Sequence, residues 1–519
     1  MAVAAVAAAS VARAVLHGQE SGAFRSILPA SALPAIDRGV VADWSHAPDT
    51  PEAIVRESIR HSAVAVDRLS PSGARYISGR VIVKFRGGLS TQSRARAMST
   101  ASPTATMSER PSYANFDVLS IDAGEDPEAV AAALRQQADV EYAQPAYRVR
   151  PMFVPNDQYY KDLQWNLPLL DLERAWDIQP AAGSNITVAV LDSGVSYANA
   201  SVRVHAYAFR DDQGTLYPDL GDLTLNFVAA PELAPFTRFV APHDFIWGDN
   251  LPVDLDGHGT HVSGTIGQLT NNGLGVAGVA FNVKIMPVKV IDTDWDDIFH
   301  APNFGTDDIV ARGIRYAADN GANIINMSIG REGDPAPVIE DAIKYAVGKG
   351  VFVAIAAGNS AEAGNPKEVI ADIASRVQGA VSVAAVGPDK QHAHYSTFGS
   401  YVELSAPGGT DRGFGRGGYV FQQTYDFTLT DTFLLPPASY SAPRFDVLAY
   451  IGYIGTSMAT PHVSGVAAML MQQGIKDPAA IEAALEKFAT DLGDPGRDNY
   501  YGYGLIEARN TLRGLGLAK

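Results

Sequence analysis

The sequence of 519 residues contains no cysteine. Disulfides, zinc–thiolate sites and cysteine nucleophiles are therefore excluded, although this absence does not distinguish an exported protein from a cytosolic one. No apolar run reaches the roughly 18 residues that a membrane-spanning helix needs, so no transmembrane segment is expected. Basic residues are outnumbered, since 40 Lys and Arg oppose 57 Asp and Glu, a net charge of −17. This charge repels a phosphate backbone and argues against binding of nucleic acid.

Hydrophobic residues make up 46% of the chain and charged residues 19%, which is typical of a folded globular protein. Residues 1–77 lack sustained periodicity, and we interpret them as a leader and linker. Their first stretch is small and apolar and contains Ala12, Arg13 and Ala14 as an A-x-A cleavage site, which favours a signal peptide. Because a basic n-region is missing, a disordered Ala-rich leader or a misassigned start codon remains an alternative.

Residues 78–150 have the pattern of a small α+β domain. Strand-like runs occupy residues 81–85 and 116–122, and residues 127–137 place apolar side chains at helical spacing with Pro127 at the first helical position. The following stretch, 148–157, carries two prolines and no periodicity. It therefore predicts an exposed domain boundary.

Residues 151–519 alternate between strand-like and helical runs, which predicts an α/β domain. Continuous apolar strands indicate a mostly parallel, twisted sheet with helices on both faces. The predicted strands are residues 187–194, 284–291, 323–330, 351–359 and 380–387. In such sheets, functional residues gather at the carboxyl ends of the strands. Those ends hold Asp192, Ser328 with Gly330, and Gly358 with Asn359.

Three segments contain residues suited to nucleophilic catalysis: Asp192 in VAVLDSGV, His258 in DGHGTHVSGTIG and Ser457 in GTSMATPHVSGVAAML. Each has a structural alternative. Asp-Ser-Gly after a strand is a common turn, and His258 with His261 could instead bind a metal, although the HExxH glutamate is missing. A serine at a helix N-terminus can be an ordinary cap, yet the free N–H groups there also stabilise an oxyanion.

Taken together, these segments resemble the histidine and serine signatures of the subtilases, from about residue 157 to the C-terminus. The order Asp, His, Ser is also that of subtilisin. The resemblance implies that Ser457 is the nucleophile, His258 the general base and then acid, and Asp192 the group that orients the imidazole. It also implies that Asn359, in AAGNS, completes the oxyanion hole.

Two other classes of protein remain as alternatives. A catalytically silent subtilase fold used for binding is weakened because Asp192, His258, Asn359 and Ser457 are all present. A serine esterase of the α/β-hydrolase kind would need a G-x-S-x-G elbow and the order Ser, Asp, His, which this chain does not have. The resemblance therefore implies a serine endopeptidase that acts on protein or peptide substrates.

The resemblance further implies that an extended substrate pairs with main-chain groups of two segments. These segments line the two sides of the S1 cleft and consist of Ser328, Ile329, Gly330, Ala356, Ala357 and Gly358. The sequence after Asn359 lacks the Tyr-Pro-Ala-like segment that lines the pocket floor in the family. The preference for the substrate residue P1 therefore stays open.

Residues 270–280, TNNGLGVAGVA, resemble the calcium loop of the family. The implied Ca²⁺ ligands are the side chains of Asp157 and Asn272 and the carbonyl oxygens of Leu274 and Val276. Asn-Asn-Gly is also a common turn, and the family's aspartate downstream of the catalytic Asp has no clear match. A structural calcium ion is thus an expectation with an open alternative.

Residues 78–150 resemble the subtilase propeptide, above all in DVEYAQPAY. The resemblance implies a self-processing zymogen in which the chain's own propeptide is an intramolecular inhibitor, with cleavage between about residues 147 and 156. We expect an extracellular or periplasmic monomer. Residues 211–254 and 409–450 are interpreted as insertions without regular structure. A further acidic patch is interpreted as a solvated loop, with a cation site as the alternative, and consists of Asp292, Asp294, Asp296 and Asp297, with Asp307 and Asp308.

Overall fold

The computed structural model describes residues 67–69, 75–109, 113–148 and 153–514. They form two compact units, one within residues 36–151 and the other from residue 152 onward. Almost all of the expected leader lies outside the described residues. In the described part of the chain, no helix has the length and apolar character needed to cross a bilayer.

The smaller unit is an antiparallel sheet covered by two helices. The long second strand pairs with the first, fourth and fifth strands, and the third pairs with the fourth. The elements are β1 Asp67–Leu69, β2 Arg75–Phe85, α1 Thr91–Ala101, β3 Thr106–Glu109, β4 Asp117–Ser120, α2 Pro127–Arg135 and β5 Val140–Tyr147. Helix α2 begins as expected, because Asp126 caps it by accepting a hydrogen bond from Glu128 N and Pro127 opens it.

The larger unit contains many short strands and helices. Its strands are β6 Thr187–Asp192, β7 Ala200–Ala206, β8 Phe209–Arg210, β9 Leu216–Tyr217, β10 Gly221–Phe227, β11 His243–Asp244, β12 Lys284–Lys289, β13 Ile324–Met327, β14 Phe352–Ala356, β15 Ala380–Val386, β16 Leu404–Pro407, β17 Val420–Tyr425 and β18 Leu448–Tyr453. Its α-helices are α3 Tyr160–Leu163, α4 Asn166–Leu169, α5 Leu172–Ile178, α6 His258–Gly267, α7 Asp294–Ile298, α8 Asp307–Asp319, α9 Pro337–Gly348, α10 Phe427–Thr430, α11 Thr456–Gln472, α12 Pro478–Phe488 and α13 Ala508–Gly514.

A seven-stranded sheet forms the centre of this unit, in the order β11-β12-β6-β13-β14-β15-β16. Every pairing in it is parallel. Successive residues of β6 contact opposite layers, since Val188 and Val190 pack with α6 and α11 whereas Ala189 and Leu191 pack with α8 and α9. The predicted α/β class, with helices on both faces of a parallel sheet, is therefore confirmed.

The two expected insertions contain regular structure, contrary to the sequence interpretation. Strand β10 pairs with β7 and β18 pairs with β17, both antiparallel. In the second pair, all residues of β17 and all but Tyr453 of β18 are buried. The carbonyl oxygens of Val420 and Ile451 lie 3.1 and 3.2 Å from His261 Nε2 of α6. This strand pair therefore packs against the helix that carries His258.

The interpretation of the acidic run as a solvated loop is wrong for Asp296. Thr293 caps α7 through a capping box with Asp296, and the Asp296 side chain is fully buried. Its carboxylate lies 2.8 Å from Nζ of the equally buried Lys289. The burial of a charge requires such a partner, and Lys289 belongs to the strand next to β6.

Candidate active site

Asp192 is the last residue of β6 and lies in the middle of the parallel sheet. Its side chain is fully buried. Its Oδ1 accepts hydrogen bonds from Ser193 N at 2.8 Å and from His258 Nδ1 at 2.6 Å. Because the carboxylate cannot reach water, it orients the imidazole ring through this short charge-assisted contact.

His258 is the first residue of α6 and follows Gly257, whose φ of 109° requires glycine. Burial opposes the charged form of the imidazole, but the Asp192 carboxylate outweighs this effect and raises the pKa of His258 to about 9. A proton is therefore held firmly on this ring. Such a group is suited to take up and return a proton during catalysis.

Asp254 is a positioning residue that the sequence analysis missed. Its Oδ1 accepts from Gly257 N at 2.8 Å and from Ser193 Oγ at 2.9 Å, and its Oδ2 accepts from Thr260 N at 2.9 Å. One buried carboxylate thus connects the residue after Asp192 to the first turn of α6. The only signal in the sequence was an aspartate four positions before His258.

Ser457 is the second residue of α11. Its Oγ donates to Ser328 O at 3.0 Å, and Ser328 Oγ donates to Ser457 O at 2.8 Å. No hydrogen bond between Ser457 and His258 is found in the described part of the chain. The structure thus joins Asp192 to His258 and Ser457 to Ser328 as two separate pairs.

Asn359 follows β14 and its side chain has a fixed orientation. Its Oδ1 accepts from both the backbone N and the Oγ1 of Thr456, each at 2.9 Å. The amide nitrogen therefore faces the other way: a Cβ built on Gly455 would lie 3.6 Å from Asn359 Nδ2 and 3.6 Å from Ser457 N. Two N–H donors converge on one small space beside Ser457, as stabilisation of an oxyanion requires.

The two segments expected to hold substrate extend β13 and β14 beyond their last pair, Met327 with Ile355. These segments, Ser328 with Ile329 and Gly330, and Ala356 with Ala357 and Gly358, therefore begin side by side. Gly358 has a φ of 103°, and a Cβ there would lie 2.8 Å from Thr397 Oγ1. A larger residue at this position would disturb the second segment.

His261 does not share a site with His258. It is fully buried, and its Nε2 contacts the hairpin carbonyls described above. Burial lowers the pKa of His261 to about 3, which keeps the ring neutral. Since His258 Nδ1 contacts Asp192 instead, this geometry gives no support to the alternative of a metal site with both histidines.

The residues expected to bind calcium lie together at the start of the larger unit. Asp157 is buried, with Oδ2 accepting from Asn271 N at 2.7 Å and Oδ1 accepting no hydrogen bond from described residues. Likewise, the carbonyl oxygens of Leu274 and Val276 accept none within the described ranges. Asn272 Oδ1 accepts from Leu274 N at 2.8 Å.

Glu232 is a further member of this cluster, and the sequence analysis missed it. It is 2% exposed, and its Oε1 accepts from Asn272 Nδ2 at 3.2 Å. Burial, with a further contribution from the negative charge of Asp157, raises the pKa of Glu232 to about 7. Two buried carboxylates, together with the two carbonyl oxygens that accept no hydrogen bond from described residues, form a set of oxygen ligands that fits a hard cation. Glu232 was not predicted because β7 to β10 lie between it and Asp192 in the chain, whereas the expected aspartate was looked for shortly after Asp192.

Comparison with known families and structures agrees with this architecture. Residues 183–504 match the model of the subtilase family, and residues 63–146 match that of the fervidolysin N-terminal prodomain. A protease of Pseudoalteromonas arctica has a similar structure, with a TM-score of 0.52 and 28% identity over 71% of this chain and 100% of the other. Fervidolysin from Fervidobacterium pennivorans, a keratinolytic enzyme related to subtilisin, shares the fold at a TM-score of 0.51 and 23% identity, over 85% of this chain and 61% of its own.

Sequence relatives point to the same class. A thermophilic serine proteinase of Bacillus sp. strain AK1 is 31% identical over 84% of this chain and 88% of its own length, and thermitase of Thermoactinomyces vulgaris is 30% identical over 70% and 100%. Fold and relatives thus define a subtilisin-like serine endopeptidase. The chain belongs to the subtilase family, and its N-terminal part is similar to the fervidolysin prodomain.

Proposed function

We propose that this endopeptidase uses Asp192, His258 and Ser457 as its catalytic triad. Ser457 Oγ attacks the scissile carbonyl while His258 Nε2 takes its proton, and the imidazolium is stabilised by Asp192. The same proton is then returned to the leaving amine, and water hydrolyses the acyl-enzyme. The observation that carries the proposal is the 2.6 Å contact between His258 Nδ1 and Asp192 Oδ1, which leaves Nε2 as the base.

The oxyanion of the tetrahedral intermediate is proposed to be stabilised by Asn359 Nδ2 and Ser457 N. Their convergence beside Gly455 supports this assignment. Before attack, the Ser457 hydroxyl must leave Ser328 O, to which it donates in the substrate-free structure.

Substrate is proposed to add as an extended strand between the two segments that follow β13 and β14. Their parallel start at Met327 and Ile355 supports a cleft in which main-chain groups on both sides face the peptide. The lining residues are Ser328, Ile329, Gly330, Ala356, Ala357 and Gly358. This mode of binding supplies affinity through backbone hydrogen bonds and leaves selectivity to the S1 subsite.

The chain is proposed to be made as a zymogen. Residues 1–77 would form the leader, 78–150 an inhibitory propeptide and 151–519 the catalytic domain. The match to a prodomain supports an intramolecular inhibitor, and relatives such as the extracellular protease of Xanthomonas campestris support export. Self-cleavage is proposed between about residues 147 and 156, and the mature enzyme is proposed to act as a secreted or periplasmic monomer.

A structural Ca²⁺ ion is also proposed. Asp157, Asn272 and Glu232 would hold it, together with the carbonyl oxygens of Leu274 and Val276. The ion would supply positive charge to two buried carboxylates and connect the start of the catalytic domain to the loop after α6. No step of peptide hydrolysis involves it.

Replacement of Asp192 by Asn tests the triad. Neutral His258 is the base, so wild-type kcat/KM rises with pH and levels off above about 9. Loss of the carboxylate removes the strongest interaction that opposes burial and leaves only the charges of Asp256 and Asp254, so the pKa of His258 falls and the acid limb moves to lower pH. We expect kcat to fall by about 10⁴-fold, the loss seen for a triad aspartate in another serine protease.

The control is Asp222→Asn, because Asp222 is exposed and its carboxylate contacts His205 rather than a residue of the proposed triad. Peptide hydrolysis between pH 5 and 11 should show the wild-type profile for this variant. If Asp192→Asn keeps both the wild-type kcat and the wild-type pH profile, Asp192 is not a member of the triad.

A further inference from the structure

The side chain of Glu368 lies between the two segments proposed to hold substrate. A Cβ built on Gly330 would lie 2.6 Å from Glu368 Cδ and 2.8 Å from each carboxylate oxygen. A Cβ built on Gly358 would lie 3.3 Å from Glu368 Cβ. Glycine on both walls of the cleft therefore leaves room for one carboxyl group between them.

This carboxylate is deeply buried and forms no ion pair with a cationic side chain in the described part of the chain. Glu368 is 5% exposed, and within the described ranges no Lys, Arg or His forms an ion pair with it. Its Oε1 accepts from Arg331 N at 2.5 Å and from Ile370 N at 3.3 Å, whereas Oε2 accepts no hydrogen bond from described residues. One oxygen is thus fixed by the backbone, and the other is available to a ligand.

The nearest guanidinium is bound elsewhere. Arg331 donates through Nε and Nη2 to the two carboxylate oxygens of Asp307, at 2.7 and 2.6 Å. Burial accordingly raises the pKa of Glu368 to about 8, since the backbone donors and the charge of Arg331 only partly offset desolvation. A buried carboxylate in this condition gains most from a cation that enters its site.

We propose that Glu368 forms the floor of the S1 subsite and selects substrates with Lys or Arg at P1. The inference rests on the proposed function, because the space between these walls is S1 only if both segments hold the substrate. The ammonium or guanidinium group of P1 would pair with Glu368 Oε2 and supply the missing positive charge. This assignment concerns the P1 preference, which the sequence left open, because Glu368 lies in the stretch after Asn359 that lacks the family's usual pocket segment.

The test uses the processed enzyme and four tetrapeptide substrates that differ only in P1, which is Lys, Arg, Leu or Phe. We expect the wild type to have a higher kcat/KM for Lys and Arg than for Leu and Phe. Glu368→Gln should lower kcat/KM for the two basic substrates by about 30-fold or more, as removal of one partner of a buried charge pair does. Rates for Leu and Phe should stay within a few-fold of the wild type.

Glu362→Gln is the matched control, because Glu362 follows Asn359 closely but is exposed and paired with Arg412. It should keep the wild-type selectivity. Equal losses for all four substrates in Glu368→Gln, or a wild type that prefers Leu and Phe, would overturn the inference alone. Absence of hydrolysis of all four substrates by the wild type would overturn the proposed function and the inference with it.

If Glu368→Gln does not fold, a second measurement on the wild type tests the P1 preference. The wild type digests an unfolded protein, and mass spectrometry identifies the residue on the amino side of each cleaved bond. Predominance of Lys and Arg at these positions supports the assignment of Glu368. A distribution dominated by apolar residues overturns it.

Discussion

At the scale of single residues, the site depends on side chains whose orientation is fixed by a second contact. Asn359 illustrates this, because both of its acceptor contacts come from Thr456 at the start of α11. If the amide turned over, its NH2 group would face the Thr456 backbone N–H, so the hydrogen bond of 2.9 Å from that N–H would be lost. Its nitrogen is therefore oriented before substrate arrives, and this condition makes oxyanion stabilisation effective.

Asn359→Ala should lower kcat by about 100- to 1,000-fold, the loss that follows removal of one oxyanion-hole donor in subtilisin. The donor acts mainly in the transition state, so KM should change little. Steady-state hydrolysis of one peptide substrate measures both quantities. Asn320→Ala is the control, since Asn320 is an exposed residue after α8, and an unchanged kcat in Asn359→Ala would remove Asn359 from the mechanism.

At the scale of elements, the proposed calcium site joins segments that are far apart in the chain. Asp157 precedes α3, Glu232 lies in the segment between β10 and β11, and Asn272 follows α6. Without a cation, Glu232 has a pKa raised to about 7, with burial as the main cause. Removal of the ion should therefore destabilise the packing of these three segments against one another.

Chelation by EDTA should lower the melting temperature of the mature enzyme by several degrees. Calcium at a hundred times its Kd adds about 2.7 kcal/mol of stability through binding to the folded state alone. Differential scanning calorimetry with and without calcium measures the shift. The shift in melting temperature should be smaller in Glu232→Gln than in the wild type. It should be unchanged in the control Glu332→Gln, because Glu332 is exposed. Equal melting temperatures in EDTA and in calcium would contradict the proposed site.

Element type was predictable where burial alone determines it. Strands β6, β12 and β15 are continuous apolar runs, and the sequence placed them within a few residues of their observed ends. Strand β16 was missed because it is short and ends in proline, and β17 with β18 because their Gly- and aromatic-rich surroundings suggested irregular structure.

The site was predictable only as far as local motifs reach. The sequence motifs around Asp192, His258 and Ser457 are sufficient to propose those residues without a fold. Glu232 and Glu368 carry no motif, because only the folded chain brings one to Asn272 and the other to Gly330. Their positions depend on long-range packing that no single segment encodes.

At the scale of the whole molecule, one chain combines a match to a prodomain with a match to a protease. The prodomain match covers residues 63–146 and the subtilase match covers residues 183–504. The connection between the two matched regions includes the proline-containing stretch 148–157. Cleavage there by the chain's own serine is the central claim of this account, since it requires the triad, the oxyanion hole and the zymogen organisation together.

The measurement that tests this claim most directly is the intact mass of the expressed wild type beside Ser457→Ala, both with calcium present. We expect that only the wild type loses the mass of the residues up to about 147 to 156, and that the serine variant keeps its propeptide. If both proteins keep the propeptide, or if both lose it, Ser457 does not perform the cleavage and the account is contradicted.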